Sequence, residues 1–172
     1  MKNIFFFLLL IPTSLFSQSG SETTTQTPQQ SSYTEVKPID IGKCAVQGSL
    51  IRMAISVEVV KNMTNSTKTD SIYINWPGQN THVSLTIDGN DADTLISVAT
   101  KMFEKTYSSP KSPSVTSYKC ANGFEYKASW DGSNWTTSMD NYKIPTGPIK
   151  INTSDIPAFI KLLKEARGKF EK

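Results

Sequence analysis

Ile51, Met53, Ile55, Val57 and Val59 alternate with Arg52, Ala54, Ser56 and Glu58, a period of two that predicts a strand with one buried face. Ile72-Ile74-Trp76 and Val83-Leu85-Ile87 repeat the pattern in two more strands, and Asp88-Gly89 follows as a turn. The period then changes. Leu95, Ile96, Val98, Ala99, Met102 and Phe103 fall at helical spacing, with Asn90 or Asp91 placed to cap the start and Ser108-Ser109-Pro110 to stop it. A second run of strands begins at Val115. Phe124, Tyr126, Ala128 and Trp130 alternate with polar residues, Asp131-Gly132 signals a two-residue hairpin, and Trp135, Thr137 and Met139 return. Ile149-Lys150-Ile151 is a short last strand. Ser154 or Asp155 caps a final helix with Pro157 in its first turn, where the missing N–H costs nothing, and Ile156, Phe159, Ile160, Leu163 and Ala166 form its apolar stripe.

These elements make two units of several strands followed by one helix. The halves, about 34–108 and 114–172, also share letters: Lys43-Cys44-Ala45 opens a strand in one and Lys119-Cys120-Ala121 in the other. An internal repeat follows, with Lys61 to Asp70 an extra polar loop in the first half. If residues 36–46 form a strand, each half reads ββββα. The fold class is therefore α+β, two pseudo-repeats of antiparallel strands each followed by a helix, in a single domain. That order is similar to the repeat of the PUR, PC4 and Whirly proteins, which bind single-stranded nucleic acid. The similarity is one of topology. No motif of those families is present, so it assigns no functional residue here.

The N-terminus carries a different signal. A lysine at position 2, an apolar run from Ile4 to Ile11 and a small residue before Gln18 read as a secretory signal peptide over residues 1–17. The run is too short to span a membrane, which takes about 20 residues. Residues 18–33 are Ser, Thr, Gln and Pro with one charge, a composition that cannot offset its ordering entropy and reads as a disordered linker. The folding unit is then 34–172, in an exported protein, periplasmic or secreted.

Export gives the cysteines meaning. The 172 residues hold two of them, at corresponding points of the halves, and an even count outside the cytoplasm favours a bridge. A Cys44–Cys120 disulfide closing a loop of about 76 residues would stabilise by roughly 4 kcal/mol.

Charge and composition mostly exclude. A net charge of +3 is too weak for a dedicated nucleic-acid tail, and export makes nucleic acid an unexpected partner. One His and two Cys cannot supply a structural zinc site, and no cofactor motif is present. His82 is the only candidate for a nucleophilic triad, and Ser84 and Asp88 on its strand face cannot reach relay geometry. Asp88, Asp91 and Asp93 offer hard oxygen ligands, but the order of a calcium loop fails. Glu58, Glu125 and Asp131 would serve a glycosidase only if two met in space. No catalytic or metal-ligating residue is assigned.

Two features favour binding. Trp76, Trp130 and Trp135 lie in or beside strands, where an exposed ring can stack on a ligand. Residues 141–172 hold 7 basic and 3 acidic side chains, so Lys150, Lys161, Lys164 and Lys169 form a candidate basic face. The expected function is a small exported, non-enzymatic binding or interaction module whose partner is a protein or cell-envelope component. The alternatives are a carboxylate-based hydrolase of the envelope and a purely structural envelope protein.

Overall fold

The computed structural model describes residues 34–77, 82–108, 114–141 and 147–170. The expected signal peptide and linker lie outside the described residues.

Strands β1 (Thr34–Cys44), β2 (Met53–Asn62), β3 (Thr67–Pro77) and β4 (His82–Asp88) form one antiparallel sheet in sequential order, followed by helix α1 (Gly89–Lys101). Strands β5 (Ser114–Lys119), β6 (Phe124–Trp130), β7 (Trp135–Asn141) and β8 (Ile149–Ile151) form a second sheet in the same order, followed by helix α2 (Ile156–Arg167). The architecture is α+β, two ββββα repeats in a single domain.

The alternation decides which side of each sheet is buried. Met53, Ile55, Val57 and Val59 are at most 5% exposed, and their partners Ile72, Ile74, Leu85 and Ile87 are fully buried beside them. In the second sheet Phe124, Tyr126 and Ala128 meet Thr137, Met139, Ile149 and Ile151 on the inner side. The repeat extends through the helices at a constant offset. Leu85, Ile87, Ala92, Leu95, Ala99 and Met102 are buried, and so are Ile149, Ile151, Ile156, Phe159, Leu163 and Ala166, each 64 positions later. The same strand-to-helix geometry places each apolar side chain, so burial repeats although most letters differ.

The repeats are tied across each other. The Gln47 N–H, in the loop after β1, donates to the carbonyl of Lys150 in β8 at 2.8 Å. The Asn122 amide, in the loop after β5, donates to the carbonyl of Thr86 in β4 at 2.8 Å. Thr86 and Lys150 are themselves 64 positions apart. Each repeat thus closes the outer edge of the other repeat's fourth strand.

Several local expectations shift. Helix α1 starts at Gly89, with Asp88 as the capping residue in extended conformation, rather than at Asn90 or Asp91. A glycine fits there because a Cβ would stand 3.1 Å from the carbonyl oxygen of Asp70. α1 ends in a π-turn, Met102–Thr106, which swings Tyr107 toward the second sheet. α2 is preceded by a single 3-10 turn, Thr153–Asp155. The supposed polar loop Lys61–Asp70 is mostly strand: β2 and β3 continue to a tight turn held by the Asn62 and Asn65 side chains, which accept the N–H groups of Thr64 and Thr67. Its residues are mostly exposed while its backbone stays regular. Ile51 lies before the strand and is 39% exposed.

The two helices are antiparallel. Arg167 near the end of α2 makes a bidentate pair with Asp93 near the start of α1, at 3.0 and 2.9 Å. α2 lies against β1, β2 and β3, and α1 against β3, β4 and α2. No helix among the described residues is long and apolar enough to cross a membrane.

Candidate functional site

The two cysteines are separate buried thiols, not a bridge. Cys44, at the end of β1, approaches the carbonyl oxygen of Asp155 at the start of α2, 4.0 Å away. Cys120, just after β5, lies beside Asp91 at the start of α1. Each thiol therefore sits under the helix of the other repeat. Because the helices are antiparallel, their starts lie at opposite ends of the pair, separated by about 20 Å, the length of a 13-residue helix. Corresponding points of the repeats are far apart, and the disulfide expectation fails for that reason. Burial and then the carboxylate of Asp91 push the Cys120 thiol up to about 12. Cys44 is raised by burial and then by Asp155.

All three tryptophans are half-buried on inner sheet faces. Trp76 pairs with the buried Val83. Trp130 and Trp135 face each other across the β6–β7 hairpin, their ring centres 5.4 Å apart, and Trp135 meets Tyr107 at 4.8 Å. The Tyr107 hydroxyl bonds Thr137, which is fully buried. These rings form a cluster at the hairpin end of the second sheet, with Phe103 6.1 Å from Tyr107. Among the described strand aromatics, only Tyr73 stands on an outer face, in register with Ser56 and Thr86.

The carboxylates are dispersed. Glu125 forms a cross-strand pair with Lys119 at 3.7 Å. Asp131 sits in the turn at the other end of the same strand, about 20 Å along it. There it accepts the N–H groups of Ser133 and Asn134 at 2.7 Å, and those bonds, Asn134 first, hold its carboxyl below the ordinary range. Glu58 is on the other sheet, beside Tyr73. Two of the aspartates near α1 are engaged elsewhere: Asp91 accepts the Tyr118 hydroxyl at 2.9 Å, and Asp93 holds Arg167. No cluster of three metal-binding side chains occurs among the described residues. His82 pairs with Pro77 at the start of β4, and its side chain lies outside the described residues.

The candidate basic face divides. Lys150 is exposed on the outer side of β8, and Lys169 lies beyond the end of α2, in a shallow surface with Asp40, Ile41, Glu165 and Gly168. Lys161 and Lys164 share the exposed face of α2, where Lys161 pairs with Glu165 at 3.8 Å. These two lysines border a groove of about 350 Å³ between the helices, with Phe103, Pro157 and Ile160 as its apolar floor and Thr100 and Glu104 on the α1 side.

The repeat explains why the groove is there. Asp93 and Pro157 occupy equivalent positions, as do Phe103 and Arg167, each 64 apart. At one end of the helix pair those positions hold an exposed ion pair that bridges the helices. At the other end they hold Phe103 and Pro157, which cannot bond across it, and the gap stays open with an apolar floor. Helical spacing assigned Phe103 and Ile160 to buried stripes; Ile160 is indeed buried in the core, whereas Phe103 is only partly covered. The available signal was the 64-residue offset itself, which pairs a charged couple with an apolar one.

Compared with known proteins, the chain matches no family model and no curated sequence.

Proposed function

We propose that this chain is an exported, non-enzymatic interaction module that holds a protein or another cell-envelope component in the groove between α1 and α2. The observation that carries the reading is the unequal pair of helix ends: Asp93–Arg167 bridges one, and Phe103–Pro157 leaves the other unbridged and apolar beneath Lys161 and Lys164. An apolar floor with a cationic rim suits a segment presenting an apolar side chain beside a carboxylate. Burying the apolar group supplies affinity, and the lysines orient the charge. The dispersion of Glu58, Glu125 and Asp131 over two sheets and a turn offers no paired-carboxylate centre to compete with this reading.

Thr100→Arg tests it. The position is helical, partly exposed and on the groove wall, so a long side chain fills the gap without entering the core. The exported chain, immobilised and exposed to envelope extract of its source, should retain a component that the Thr100→Arg form loses at least tenfold. Equal recovery by both forms, or recovery of nothing above background by either, would reject the groove as the binding site.

A further inference from the structure

Among the described residues the two sheets present four edges, and three are managed. The outer edge of β4 is met by Asn122 and that of β8 by Gln47. The edge of β1 carries Pro38, which has no N–H to offer, and a bulge between Asp40 and Gly42 that breaks its register. Both devices discourage a further strand. The edge of β5 has neither. Its six residues, Ser114 to Lys119, pair with β6 in unbroken register, contain no Pro or Gly, and have no strand on their other side among the described residues. Val115 on this strand is 63% exposed.

The hydrogen-bond direction along β5 follows from its end. The Cys120 N–H points to β6, donating to the carbonyl of Phe124 at 2.8 Å. Alternation then turns the backbone groups of Tyr118 and Thr116 inward as well and leaves those of Val115, Ser117 and Lys119 facing away from the sheet. We propose that this edge pairs antiparallel with β5 of a second copy of the chain, about a twofold axis at Ser117, joining two four-stranded sheets into one of eight.

The sequence of the strand is complementary to itself in that register. Ser117 faces Ser117, and Val115 faces Lys119. No like charges oppose each other, and the methylene stem of Lys119 covers the exposed Val115. Lys119 is also held by Glu125 of its own copy at 3.7 Å, so its charge is balanced before pairing. A twofold contact of this kind is closed and does not propagate into a filament. This inference goes beyond the helix groove and does not depend on it, because β5 contributes no residue there.

Sedimentation of the exported chain over a concentration series reaching about 100 µM tests the pairing, since a six-residue contact is small beside the interfaces of permanent complexes. The expected result is a mass rising from one chain to two. Ser117→Lys, which sets two ammonium groups opposite each other at the axis, should hold it at one chain. Ser117→Cys should give a covalent dimer on mild oxidation, reversed by reductant. A single-chain mass throughout for the unmodified protein, or a dimer equally strong in the Ser117→Lys form, would overturn the proposal. Should Ser117→Lys lose its fold, the Ser117→Cys form decides alone: no covalent dimer under conditions that oxidise thiols rejects it.

Discussion

Cys44 and Cys120 show burial overriding a helix field. A thiol at the start of a helix ordinarily ionises more easily, because the N-terminal amides favour the thiolate. Here both thiols lie at helix starts and both are raised, first by burial and then by the aspartate carboxylate of the same helix turn. Packing holds them as small apolar groups and disfavours the nucleophilic thiolate. Two consequences can be measured. A thiol-specific chromogenic reagent should find essentially no reactive thiol in the native protein near neutral pH, and two per chain once it is unfolded without reductant. An unfolded, unreduced protein with no thiol would mean that the two are bridged after all. The residue scale also explains why the bridge was expected: the sequence shows that the cysteines are equivalent, and equivalence says nothing about distance until the axis relating the repeats is known.

Elements were far more legible than residue pairings. Period-two alternation located β2, β3, β4, β6 and β7, because one face of each strand must be dry, and the stripe Ile156 to Ala166 located α2. Legibility failed where two strands run on into an exposed polar hairpin. The β2–β3 hairpin is polar on both faces from Lys61 onward and so looked like a loop. It failed too at the β6–β7 turn, which holds four residues, Asp131 to Asn134, rather than two. Asp131 organises that turn through the N–H groups of Asn134 and Ser133, bonds that favour its ionised form. Because its folded value lies below the unfolded one, the stabilisation is complete above the unfolded range near pH 4 and disappears as pH falls through the lowered value. The melting temperature of Asp131→Ala should therefore lie below that of the unmodified protein at neutral pH. The two curves should converge in acid. A difference that persists unchanged at pH 2 would show that the carboxylate charge is not what holds the turn.

At the scale of the whole molecule, the repeats are legible as a pattern but not as a partnership. The constant offset of 64 from β4 through α2 could be read from Leu85/Ile149, Ala92/Ile156 and Ala99/Leu163. Nothing local reveals that Gln47 serves β8, that Asn122 serves β4, or that Tyr118 bonds Asp91 across the repeats. The groove is hidden for the same reason, since it exists only once two helices from different repeats lie antiparallel. These exchanges also set how the molecule unfolds. Opening either repeat would strip the fourth-strand edge of the other and expose the helix starts against which Cys44 and Cys120 are buried, leaving polar groups of both halves without partners. Neither repeat is then a cooperative unit by itself, and the domain should unfold in one transition. Trp76 reports on the first sheet, and Trp130 with Trp135 on the second. In urea, the fluorescence of a Trp130→Phe/Trp135→Phe form and that of a Trp76→Phe form should each coincide with the far-UV signal of the same protein. A separation between fluorescence and far-UV midpoints in either form would mean that one repeat survives without the other, and that the cross-repeat bonds seen here do not couple them.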